Sequence, residues 1–76
     1  MAGRELVISN NIRKLRFFAG EMTQQVLAEK TGVSRQTIIA VEAGKYSPSL
    51  ELAFRIADVF QINIGEVFHC EVKEDK

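Results

Sequence analysis

Cysteine and histidine occur once each in this chain of 76 residues, proline once and tryptophan not at all. His69 and Cys70 are adjacent, and no further cluster of ligating side chains could complete a metal site with them, so neither metal chemistry nor a cofactor is expected. A glycine-rich phosphate loop and a catalytic constellation are also missing, which argues against an enzyme and leaves no small-molecule ligand in view. No apolar run reaches the length of a membrane helix and no leader pattern is present, so the expected location is the cytoplasm. The chain also lacks net charge, with ten Lys+Arg against ten Asp+Glu.

What is present suits one small domain, residues 1–76. A hydrophobic content of 46% with little glycine or proline fits a helical bundle with a modest core. The charge is unevenly divided: residues 1–50 carry seven Lys/Arg against four Asp/Glu, and residues 51–76 three against six. The first part is therefore net +3 and the second net −3, a split that would orient the domain on a polyanion while keeping non-specific affinity modest.

The most informative segment is Thr23 to Gly44, TQQVLAEKTGVSRQTIIAVEAG. Thr23 can cap a helix that Gly32 ends in a left-handed conformation, and Ser34 can cap a second helix that Gly44 stops. The connection is too short for antiparallel packing, so the two helices must cross steeply. At about 100° per residue the second helix has two faces. Ile38, Val41 and Glu42 share one; Gln36, Ile39 and Ala40 share the other, with Arg35 at its edge. Ala28 allows close approach of the crossing helix, Leu27 and Thr31 extend the same buried side, and Val33 plugs the turn.

From about Asn10 to Phe68 the sequence resembles the phage lambda repressor and Cro superfamily, the XRE-type helix-turn-helix regulators. The likeness rests on the Gly32-Val33-Ser34 turn, the Ile38 and Val41 pair and the run from Glu42 to Lys45. It implies an all-α, five-helix, lambda-repressor-like domain. Some small dimeric repressors of that superfamily add a two-stranded antiparallel sheet formed by the terminal segments. Here, residues 5–8 and 68–72 are the β-prone stretches, and residues 73–76 are read as a mobile tail.

The remaining helices follow from periodicity and caps. Ser9 or Asn10 would cap a first helix reaching about Ala19, with Ile12, Leu15, Arg16 and Ala19 on one face. Ser49 would start the fourth helix, turning Leu52, Ala53, Ile56, Ala57 and Phe60 inward and Glu51, Arg55 and Asp58 outward. Asn63 and Glu66 suit a capping box for a last short helix. Phe17 lies opposite the core stripe, either covering the ribbon or facing a dimer partner, while Phe18 and Val26 are read first as enlarging the core and otherwise as touching each other or a partner. Cys70 is read as a small buried hydrophobe. The Gly20-Glu21-Met22 turn is about one residue longer than the commonest version in the family.

The resemblance also assigns roles. It implies a structural ion pair between Arg16 and Glu42, joining the first helix to the third, and a Gln24 that touches phosphate while bracing the recognition helix. Arg35, Gln36, Ile39 and Ala40 would face base edges, Arg35 suiting guanine O6 and N7, Gln36 suiting adenine N6 and N7, and Ile39 a thymine methyl. Thr37 and Lys45 would meet phosphates. Tyr46 and Ser47 are open between phosphate contact and simpler roles, Tyr46 packing on the fourth helix and Ser47 forming a turn before Pro48. The expected function is a sequence-specific, double-stranded-DNA-binding transcriptional regulator, a repressor, acting as a homodimer on a palindromic operator with the 34–43 helix in the major groove. The alternative is a protein-interaction module of the same fold, an antitoxin-like or coactivator-like partner.

Overall fold

A computed structural model describes residues 4–74. The elements run in the order β1 (Arg4–Asn10), α1 (Ile12–Phe18), α2 (Gln24–Thr31), α3 (Arg35–Glu42), α4 (Leu50–Val59), α5 (Ile64–Val67) and β2 (Phe68–Glu74). Three helices begin on hydroxyl caps: Thr23 accepts from the Val26 N–H, Ser34 from Thr37 and Ser49 from Leu52. Each hydroxyl satisfies a first-turn donor that has no partner within its own helix. At α5 the Glu66 carboxylate accepts from the Asn63 N–H at 3.2 Å.

The core draws one wholly buried aliphatic from every helix: Ile12, Leu27, Ile38, Ile56 and Val67 are all 0% exposed. Ala28, Ala53 and Ala57 lie among them and let helix axes approach closely. Thr31 is buried with its hydroxyl donating to the Leu27 carbonyl at 2.8 Å, so its polar atom is satisfied within its own helix.

β1 and β2 pair antiparallel over their full length, from Arg4 opposite Glu74 to Asn10 opposite Phe68. The fold is thus five helices plus a two-stranded ribbon, and the all-α description is too narrow. Both strands outrun the expected 5–8 and 68–72. Lys73 and Glu74, assigned to the tail, are strand residues, and Lys73 stands opposite Glu5, an opposite-charge pairing that favours the ladder. Asp75 and Lys76 lie outside the described residues.

Strand alternation gives the ribbon one apolar side. Leu6 pairs with Val72 and Ile8 with Cys70, and all four are exposed, so Cys70 is not the buried hydrophobe that was expected. The base of the ribbon packs on the helices: Phe68 lies against the core, and the Asn11 side-chain amide donates to the Glu66 carbonyl and contacts His69 Nε2 at 2.8 Å.

Candidate nucleic-acid interface

Position in this site is set by caps and turns. The α2–α3 connection is short because Gly32, at φ +78°, reverses the chain immediately after α2, and Ser34 opens α3 two residues later. α3 closes at Gly44, φ +76°, with the Lys45 N–H returning to the Ala40 carbonyl at 2.9 Å. That closure sends Lys45, Tyr46 and Ser47 into an exposed loop ahead of α4.

On α3 the two faces separate cleanly. Ile38 and Val41 are buried at 0% and 2%, Arg35 and Gln36 are exposed, and Thr37, Ile39 and Ala40 are half-buried. The Thr37 hydroxyl lies 3.0 Å from the Ser34 hydroxyl, so it shares in capping its own helix. Tyr46 is 53% exposed and does not bury its ring against α4.

Behind this surface lies a polar joint between three helices. Arg16 of α1 forks onto Glu42 of α3, Nη2 lying 3.0 Å from Oε1 and 2.7 Å from Oε2, with Nε 3.1 Å from Oε2. The Arg16 and Glu42 side chains are 16% and 10% exposed. Gln24, the first residue of α2, donates to Glu42 Oε1 at 2.6 Å. Arg16 Nη1 also donates to the Met22 carbonyl at 2.8 Å, holding the turn in which Gly20 and Glu21 are both left-handed. A guanidinium and an amide thereby saturate one carboxylate, which is what permits a charged pair at a helix junction.

Asn10 is a contributor that sequence reasoning passed over except as a possible cap. Its Oδ1 accepts from the Ile12 N–H at 3.0 Å, and its Nδ2 donates to the Val41 carbonyl at 3.1 Å. One amide therefore ties the first N–H of α1, whose N-cap is Asn11, to the carbonyl end of α3.

Gln24, Arg35 and Ile39 share an open groove with the Arg16–Glu42 pair. Gln36, Thr37, Ala40 and the loop residues Lys45, Tyr46 and Ser47 lie outside it. Its other wall is α1, through Arg13, Lys14, Phe17 and Phe18, none of which had been given a place in the site. Phe17 and Phe18 are 62% and 71% exposed and pack edge to face with centroids 5.4 Å apart. Phe17 therefore does not bury itself under the ribbon, and neither Phe18 nor Val26, 37% exposed, enlarges the core. The reason is geometric: α1 turns only Ile12, Leu15 and Arg16 inward, so its following residues project outward. The signal was in the i,i+4 spacing of Arg13 with Phe17 and of Lys14 with Phe18.

No helix among the described residues is long and apolar enough to cross a membrane. The helix-turn-helix family profile matches residues 12–67, from the first residue of α1 to the last of α5. An uncharacterised HTH-type transcriptional regulator of Methanocaldococcus jannaschii is 52% identical over 63 residues, covering 80% of this chain and 96% of that protein. A second, from Archaeoglobus fulgidus, is 53% identical over 57 residues, covering 75% of this chain and 80% of its own. The Bacillus subtilis HTH-type regulator YgzD is 41% identical over 64 residues, covering 84% and 96%. The short turn from α2 to α3, their caps and these similarities agree: the chain belongs to the XRE, or Cro/C1-type, helix-turn-helix family of transcriptional regulators.

Proposed function

We propose that this protein is a repressor that binds duplex DNA as a homodimer, laying α3 of each subunit in the major groove over one half of a palindromic operator. The observation that carries the reading is the division of α3. Its inner face is locked into the core by Ile38 and Val41, while Arg35 and Gln36 stand free at its exposed end. A helix held rigidly from behind can present base-reading side chains in a fixed register. Arg35 would fork onto guanine, Gln36 onto adenine, Ile39 would meet a thymine methyl, and Ala40 would allow close approach. Gln24, Thr37, Lys45, Tyr46 and Ser47 would hold phosphates and set the register. The whole chain would serve as one DNA-binding domain, cytoplasmic and nucleoid-associated when bound.

The homodimer is supported by the ribbon. A lone two-stranded ribbon is marginal in water, and this one leaves Leu6, Ile8 and Val72 at 63%, 50% and 46% exposure along one side. A second copy covering that side would bury the apolar stripe twice over in one symmetric contact. Two-fold symmetry then places the half-sites in successive major grooves, about 34 Å apart. Selection of bound duplexes from a random pool tests the reading at a fixed salt concentration. An inverted repeat should be enriched, and a pool without enrichment would contradict it.

A second reading, docking onto a protein partner, is favoured by Leu50 and Phe54, 71% and 53% exposed one turn apart on α4. Co-purification of a stoichiometric partner with no DNA retardation at low salt would select it.

A further inference from the structure

The groove between α1 and α3 holds a concentration of charge that the neutral total conceals. Arg13, Lys14, Arg16 and Arg35 line it, against the single carboxylate of Glu42. Arg16 neutralises that carboxylate, so three cations are left uncompensated. Arg13, Lys14 and Arg35 form no ion pair among the described residues, and all three are exposed.

The groove has a volume of about 1270 Å³ and is open to solvent. Small-molecule sites enclose most of their ligand in roughly 300–1,000 Å³, so this shape suits an extended polyanion better than a compact metabolite. Arg35 and Ile39 of the proposed reading face line it, as do Thr23 and Gln25 at the start of α2. A DNA strand bordering the major groove that α3 enters would run along this trough.

We infer that α1 is a second clamp on the DNA backbone, with Arg13 and Lys14 holding phosphates of that strand and Phe17 lying against its deoxyribose. The inference rests on the DNA-binding reading and extends the proposed contact surface from residues 24–47 back onto α1. It also accounts for the exposure of Phe17 at the groove wall, since a sugar face offers apolar surface that water does not. A neutral chain then binds a polyanion because its free cations are gathered where the strand passes.

The test is the slope of log affinity against log salt on one operator duplex and on one unrelated duplex. Arg13→Ala with Lys14→Ala should lower the magnitude of the slope by about 2 and weaken both duplexes alike, because each lost phosphate contact removes close to one unit. Phe17→Ala should weaken binding about fivefold with the slope unchanged. Lys30→Ala, removing an exposed cation of α2 that does not line the groove, is the control and should leave the slope as it was. A double variant whose slope matches that control, while the unaltered protein still binds its operator, would overturn the clamp. Failure of the unaltered protein to bind any duplex would instead remove the DNA-binding reading itself, and the clamp with it.

Discussion

Gln24 donates its side-chain amide to Glu42 across 2.6 Å, on the same carboxylate that Arg16 grips at 2.7 Å. α1, α2 and α3 therefore meet at one acidic side chain, and the residue that opens α2 touches the helix proposed to read DNA. Fold and recognition share that joint. Its loss should be felt in both.

Glu42→Ala leaves the Arg16 guanidinium largely buried without its counter-charge. The expected cost is about 3–5 kcal/mol, against about 4–11 kcal/mol for the total stability of a domain this size. Urea denaturation should show the midpoint shifted far below that of the native chain. Replacing both partners, Arg16→Met with Glu42→Leu, should cost much less, because neither charge is then stranded. Equal losses in the single and double variants would show that the pair matters through shape and not charge.

Gln61 occupies the left-handed position that closes α4, at φ +56°, with the Ile62 N–H returning to the Ala57 carbonyl at 3.2 Å. A residue with a Cβ pays about 1–2 kcal/mol in that conformation, whereas glycine gives up about 0.5–1 kcal/mol of chain entropy. The Gln61 side-chain amide also donates to the Asp58 carbonyl at 2.8 Å, but that bond is exposed and water replaces it, so Gln61→Gly should stabilise by about 0.5 kcal/mol and raise the melting temperature by about 2–4 °C. Gly44→Ala, in the same conformation at the end of α3, should destabilise. A thermal melt in which the two substitutions move Tm in the same direction contradicts this account.

How much of this was legible in the residues divides along range of interaction. Thr23, Ser34 and Ser49 act on N–H groups three residues away, and Gly32 acts on its own φ, so caps and helices could be read locally. The apolar stripes of α3 and α4 were equally local. The ribbon was half legible: the β-prone runs showed, but its length depends on partners more than 55 residues apart, such as Asn10 and Phe68. Asn10 as a bridge from α1 to the end of α3 was hidden for the same reason, since it depends on a carbonyl 31 residues away. The exposure of Phe18, Val26 and Cys70 ran against the expectation that these apolar side chains turn inward. In a domain this small, five helices and a projecting ribbon leave too little interior to hold them all.

The two remaining polar roles on the reading surface should separate by sequence dependence. Gln36→Ala should lose about 1–3 kcal/mol on the preferred operator and relax one base position. Lys45→Ala should weaken operator and unrelated duplexes by the same factor. Titrations of both variants on both duplexes decide the matter; a uniform loss from Gln36→Ala would make it a phosphate contact.

Leu6→Asp and Val72→Asp place charge on the apolar side of the ribbon. If that side joins two copies, sedimentation equilibrium should find these variants monomeric at concentrations where the native chain is dimeric. Phe54→Ser, on the exposed face of α4, should leave the dimer intact. The opposite pattern would move the interface from the ribbon to α4.

The central claim is that α3 reads base sequence through its exposed face, and parallel selection from a random duplex pool with the native chain and with Arg35→Ala tests it most directly. The native chain should enrich an inverted repeat with half-sites about 10–10.5 base pairs apart. Arg35→Ala should enrich the same repeat with one guanine preference erased in each half. Identical preferences from both proteins would contradict the account.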